Sequence, residues 1–156
     1  MADSLSSKSA SSYHTKSFVN TSPSKHRSDS FMFANGDRYD GEYVATDEGQ
    51  IMRHGHGKHT SADQQLIYDG TWNRDKMHGT GRLTYGNGTS YDGDFQSNYF
   101  EGLGTYTWPD GAQYTGMWQG SRAIGKSEYT SPNLGVPFVG TANGQDANMR
   151  YKVSSL

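Results

Sequence analysis

Cysteine is absent from all 156 residues. Disulfides and cysteine-held zinc are therefore excluded, and a secreted disulfide scaffold is not expected. Long apolar runs are missing too: no stretch approaches the roughly 18 residues of a membrane-spanning helix. The opening residues, MADSLSSKSASSYHTKSFVN, lack the apolar core of a signal peptide. These absences together predict a reducing, cytoplasmic setting. Apolar residues make up only 31% of the chain, little for a deep two-layer core. Neither sign of charge dominates. The net charge of −2 is too small to point to nucleic acid or an anionic membrane as an electrostatic partner. No Gly-Lys-Ser/Thr phosphate loop and no nucleophile elbow occurs. No cofactor, metal or catalytic residue is expected, and a non-enzymatic chain is predicted.

What the chain has instead is glycine and aromatic rings: 20 Gly, 11 Tyr, 6 Phe and 3 Trp. They recur with a fixed period. Tyr68-Asp-Gly70-Thr-Trp72 is followed by Tyr91-Asp-Gly93-Asp-Phe95 and then by Tyr114-Thr-Gly116-Met-Trp118, at steps of 23 residues. A period of this size is the mark of a stacked repeat. Gly41 occupies the same place after Tyr39. A second glycine signal, Gly-x-Gly, follows the tyrosine by eleven residues at Gly79/Gly81 and Gly102/Gly104, and by sixteen at Gly55/Gly57. The first repeat thus carries about five extra residues, in ATDEGQIMRHG. Short alternating runs such as Arg82-Leu83-Thr84-Tyr85 then end in Gly86-Asn87-Gly88 or Pro109-Asp110-Gly111 turns. Period-two alternation between such turns is the hairpin signature.

Each repeat therefore reads as one hairpin: a strand Tyr-x-Gly-x-Trp, a loop, then a strand Leu-x-Tyr. The predicted fold is all-β, an elongated single-sheet meander of nine to ten strands. Residues 1–30 stand apart, with eleven Ser and no Gly. They read as a disordered arm, with Ser22, before Pro23, as a candidate phosphosite. Residues 31–142 form the repeat region: a half repeat, full repeats at 39–67, 68–90 and 91–113, a degenerate one at 114–136, and a closing strand at 137–142. Residues 143–156 are a tail. The pattern Y-x-G-x-W/F, with a His or Glu before Gly-x-Gly (His54, His78, Glu101) and a turn glycine, resembles the MORN (membrane occupation and recognition nexus) repeat family. That resemblance implies a hairpin repeat used for interaction, in cytoskeletal, ciliary, flagellar or membrane-proximal assemblies.

Side chains alternate across a strand. Tyr68, Trp72, Tyr85, Tyr91, Phe95, Tyr106, Trp108, Tyr114 and Trp118 should therefore form one aromatic stripe. It is the structural ring face and the candidate site for a protein partner. Gly41, Gly70, Gly93 and Gly116 are expected to leave room for rings from flanking strands, and Gly55, Gly57, Gly79, Gly81, Gly102 and Gly104 are the other structural glycines of the repeat. Asp40, Glu42, Asp69, Asp92 and Asp94 read as an acidic row on the other face, either solvated or a dock for a basic segment. His54, His56 and His59 do not share a face and are not read as a metal site. The expected function is an adaptor or scaffold for a protein partner, a cytoskeletal or axonemal subunit by the resemblance. Pairing with a second copy through the Phe138-Val-Gly140 edge is a further possibility. Phospholipid binding is the alternative, and it is disfavoured by charge. The arm carries four Lys/Arg against two Asp, so the remainder holds a net −4, whereas anionic lipid selects clustered cations.

Overall fold

The computed structural model describes residues 27–152. Ser22 and most of the predicted arm lie outside the described residues. The described chain is one antiparallel sheet whose strands lie in sequence order. They are β1 (Arg27–Met32), β2 (Arg38–Ala45), β3 (Ile51–Thr60), β4 (Leu66–Asn73), β5 (Lys76–Tyr85), β6 (Ser90–Gln96), β7 (Tyr99–Thr107), β8 (Gln113–Gln119), β9 (Arg122–Thr130), β10 (Phe138–Asn143) and β11 (Ala147–Tyr151). No helix forms among the described residues, so none is long and apolar enough to cross a membrane. The all-β single-sheet meander expected from the tyrosine spacing is what the chain adopts.

Four particulars differ from the sequence reading. First, β1 begins at Arg27, inside the segment read as an arm. Its residues pair with β2 from Arg27↔Tyr43 to Met32↔Arg38, which satisfies the backbone groups that face β2. Second, eleven strands form among the described residues, not nine or ten. The addition is β11, which pairs with β10 from Phe138↔Tyr151 to Ala142↔Ala147 as the second half of a fifth hairpin. Third, Phe138-Val-Gly140 is therefore not an edge. It lies between β9 and β11, and β1 and β11 are the open edges of the described sheet. Fourth, the connection inside a repeat is not a loop. In the hairpins β4–β5, β6–β7 and β8–β9 it is two residues, Arg74-Asp75, Ser97-Asn98 and Gly120-Ser121, all at positive φ between 48° and 74°. That is the type I′ geometry whose twist matches the flanking strands.

The Gly-x-Gly pairs consequently lie within strands. Gly41 faces Gly57, Gly70 faces Gly81 and Gly93 faces Gly104, each pair beside a β-bulge. The ring that covers each pair comes from the tyrosine two residues earlier on the same hairpin, not from a flanking strand. A Cβ on Gly81 would sit 2.7 Å from Tyr68 Cε2 and Cζ, and one on Gly70 would sit 2.5 Å from the Cα of Gly81. The Tyr68 hydroxyl reaches past the glycines and donates to Thr71 O at 2.9 Å, as Tyr39 does to Glu42 O and Tyr91 to Asp94 O. Glycine is thus required for close approach, on both members of the pair.

The fourth hairpin breaks this rule. Ser127 faces Gly116, and its Cβ takes the space that the tyrosine ring fills elsewhere. Tyr114 is still buried, but its hydroxyl has no hydrogen-bond partner among the described residues. The extra residues of the first repeat are absorbed at the far end of β2–β3. There 45–51 connect Val44↔Met52, where 74–75 connect Asn73↔Lys76.

Gly81→Ala should cost about 1–3 kcal/mol, the usual range for overpacking, because both the Tyr68 ring and a neighbouring backbone block the methyl. Urea unfolding measures it. A midpoint equal to that of the parent chain would contradict the packing described.

Candidate binding face

The tyrosines over the glycine pairs are held on both sides by other aromatic rings. Tyr68 meets Trp72 at 4.9 Å between centroids and Phe95 at 5.0 Å, both edge-on. Tyr91 meets Phe95 at 5.2 Å and Trp118 at 5.5 Å in the same way. Each tyrosine therefore links the aromatic of its own repeat to that of the next, which edge-to-face contacts favour. The indoles add hydrogen bonds backward along the stack: Trp72 Nε1 donates to Gly57 O at 2.8 Å and Trp118 Nε1 to Gly104 O at 3.1 Å. Burial holds the phenols of Tyr39, Tyr68 and Tyr91 well above the ordinary tyrosine pKa, so they stay neutral donors.

This packing decides which of the nine predicted face residues a partner can reach. Tyr68, Trp72, Tyr91, Phe95 and Tyr114 are buried. Tyr85, Tyr106 and Trp118 are half-buried against them. Trp108 is 38% exposed. The stripe does run on, through residues that sequence reasoning passed over: Trp108 meets Tyr129 at 5.8 Å, Tyr129 meets Phe138 at 6.2 Å, and Phe138 meets Tyr151 at 4.4 Å. Tyr151 is 59% exposed, and Leu134 and Val136 are exposed beside this run. The ring face thus has a closed part, the buried rings from β2 to β8, and an open part toward its C-terminal end, which starts at Trp108 after β7 and runs to Tyr151 in β11. Ser127-x-Tyr129 copies Gly104-x-Tyr106, a signal that identifies Tyr129 as a ring position.

Two polar residues also belong to the closed part. Arg53 pairs opposite Tyr43, in the register position that Met77, Phe100 and Ala123 hold in later repeats. Its guanidinium lies 4.1 Å from the Trp72 ring centroid, a cation–π contact. Its Nε donates to Asp75 Oδ1 at 3.0 Å and its Nη2 to Asp75 O at 3.1 Å. Asp75 belongs to a clasp that recurs along the chain. Arg53 N donates to Asp75 Oδ1, Met77 N to Asn98 Oδ1 and Phe100 N to Ser121 Oγ, at 2.9, 2.8 and 3.0 Å. In each, the second turn residue returns a backbone N–H to that same residue's carbonyl. His59 takes the place of Leu83 and Tyr106. Burial first, and then the Arg53 charge, lower its pKa, against a smaller opposing pull from Asp37. His56 points to the opposite face, 3.7 Å from Asp69. No group of metal-ligating residues occurs among the described residues.

The opposite face is not an acidic row. The register places Lys58 between Asp40 and Asp69, and Arg82 between Asp69 and Asp92. Signs alternate at each strand, about 4.7–4.9 Å apart, and Arg82 lies 3.8 Å from Asp92. Arg38 and Ser30 bond Asp40 and hold its carboxyl below the usual range. Glu42 is a bulge residue instead, and Asp94 borders a bulge. Glu42 Oε2 accepts from His56 N at 2.6 Å, and the Asp94 carboxylate lies over Gly102. A basic partner segment finds no uniform acidic surface here.

Residues 50–65, 68–90 and 91–113 match the family model of the MORN repeat. Repeats of this kind are protein- or lipid-binding modules and typically non-enzymatic. No curated protein matches the chain.

Asp75→Ala leaves the Arg53 guanidinium mostly buried without its carboxylate and should cost about 1–3 kcal/mol, discounted for the partial exposure of Asp75. The double change Arg53→Met with Asp75→Asn installs the pair present at 77 and 98, and should unfold within about 1 kcal/mol of the parent or above it. Thermal melts of both variants check this. A double variant weaker than Asp75→Ala would contradict the equivalence of the positions.

Proposed function

We propose that this protein is a non-catalytic adaptor that takes a protein partner on the open end of its ring face. The observation that supports it is the division of that face. Tyr39, Tyr68, Trp72, Tyr91, Phe95, Phe100 and Tyr114 are buried, whereas the ladder Trp108, Tyr129, Phe138 and Tyr151 begins and ends on exposed rings with half-buried ones between, and Leu134 and Val136 are exposed in the β9–β10 connection. Contiguous exposed aromatic surface is the usual composition of an interaction site, and tryptophan and tyrosine dominate the energetics of such sites. An apolar ridge or helix face on the partner is the complementary shape.

The setting proposed is cytoplasmic, in a cytoskeletal, ciliary or flagellar assembly such as an axoneme. Support for it is the match to the MORN repeat. The net −4 of residues 31–156 favours protein over anionic lipid as the ligand.

The test separates the two parts of the face. Trp108→Ala should reduce recovery of the co-purified partner about ten-fold or more while the melting temperature stays within a few degrees, because Trp108 lies at the open end. Trp72→Ala should lower the melting temperature instead, through lost packing and a lost indole hydrogen bond. Full partner recovery by folded Trp108→Ala, or equal flotation of parent and variant on anionic vesicles with no protein partner, would overturn the reading.

A further inference from the structure

The outer face changes character along the sheet. From β2 to β6 it is a ladder of alternating charges in which each cation lies between carboxylates. Beyond β6 the cross-strand row continues as Thr105, Thr115, Glu128, Val139 and Arg150, and the alternation stops. Leu103 and Met117 face each other in register there, 59% and 44% exposed. They place two large apolar side chains together on a face that is otherwise polar. Past them lies a trough of about 670 Å³, bordered by Leu103, Thr115, Lys126, Val139 and Arg150. Both cations are exposed, and among the described residues neither has an ion-pair partner. The one carboxylate bordering the trough, Glu128, accepts from Lys152 Nζ at 2.8 Å.

We infer that this outer trough is a second docking site and that its occupant is an acidic, amphipathic protein segment. Apolar side chains of that segment lie on Leu103, Met117 and Val139, and its carboxylates face Lys126 and Arg150. Charge complementarity selects the occupant. Two cations without ion-pair partners among the described residues, in a trough that also presents Leu103 and Val139, its single bordering carboxylate already paired with Lys152, favour a segment in which carboxylates accompany apolar residues, and disfavour a basic one. The site is independent of the open ring face, because alternate residues on these strands point to opposite sides. A chain with both sites occupied bridges two partners.

The probe is a fluorescein-labelled eight-residue peptide in which glutamate alternates with leucine, titrated against the full chain by fluorescence anisotropy. Peptides alternating lysine with leucine, and glutamate with serine, serve as controls. The acidic apolar peptide should bind saturably and more weakly as salt rises, and the two controls should bind at least about ten-fold less tightly. The double variant Lys126→Glu with Arg150→Glu should lose about ten-fold or more in affinity, and Leu103→Ser should weaken binding without changing the salt dependence. All three positions are exposed, so the melting temperature reports that the variants are folded. The inference is overturned by no saturation up to about 1 mM peptide, by equal affinity of parent and double variant, or by equal binding of the basic peptide. It is also overturned if vesicles of phosphatidylserine and phosphatidylcholine, and not the peptide, bind in a manner that depends on Lys126 and Arg150.

Discussion

A tyrosine ring lying flat over two facing glycines is the contact on which the rest of this structure depends. A sheet of single-layer hairpins has no second layer to cover it, so its interior must be made by side chains lying down on their own backbone. Only glycine permits a ring to come that close, and both strands must supply it. Once Tyr39, Tyr68 and Tyr91 are seated, their hydroxyls bond carbonyls at the bulges. Their edges then become the surfaces on which Trp72, Phe95 and Trp118 pack. The long-range order of the stack is thus a chain of local contacts, each linking one repeat to the next, as expected of a quasi-one-dimensional fold.

The same contact explains where the fold loosens. Ser127 fills the space over Gly116, the Tyr114 hydroxyl loses its bond, and the rings beyond it, still in contact with one another, end on exposed Tyr151. The outer face changes at nearly the same place, from matched charges to exposed Leu103 and Met117. Both proposed binding surfaces lie in this C-terminal half, on opposite sides of the same strands. Regularity stabilises one end of the molecule, and its loss leaves surface available at the other.

The 23-residue spacing carried the fold in plain view, because Tyr, Gly and Trp have to recur wherever the ring-on-glycine contact recurs. Other features were hidden for physical reasons. The Arg74-Asp75 and Ser97-Asn98 turns lack the glycine that marks a type I′ turn. Their left-handed residues are held by the side chain of Asp75 or Asn98, which accepts a backbone N–H of the preceding hairpin, a contact 21 or 22 residues away in the chain. Arg53 and His59 look like surface residues by type, and only the register shows that they stand where Met77 and Leu83 stand. Spacing within the first strands alone suggested an acidic row, but the return strands place Lys58 and Arg82 between the carboxylates. The open ring ladder was partly legible, in Trp108, and partly not. Phe138 and Tyr151 become neighbours only through β11, whose polar sequence gives no strand signal by itself.

Residue-resolved amide hydrogen exchange on the full chain addresses the central claim most directly. If seated tyrosines hold the stack, the slowest amides belong to β3–β7, around Gly57, Gly70, Gly81, Gly93 and Gly104. Those of β9–β11, beyond the unseated Tyr114, should exchange through a separate opening of lower free energy. Protection in β9–β11 equal to that of β3–β7 would contradict the account.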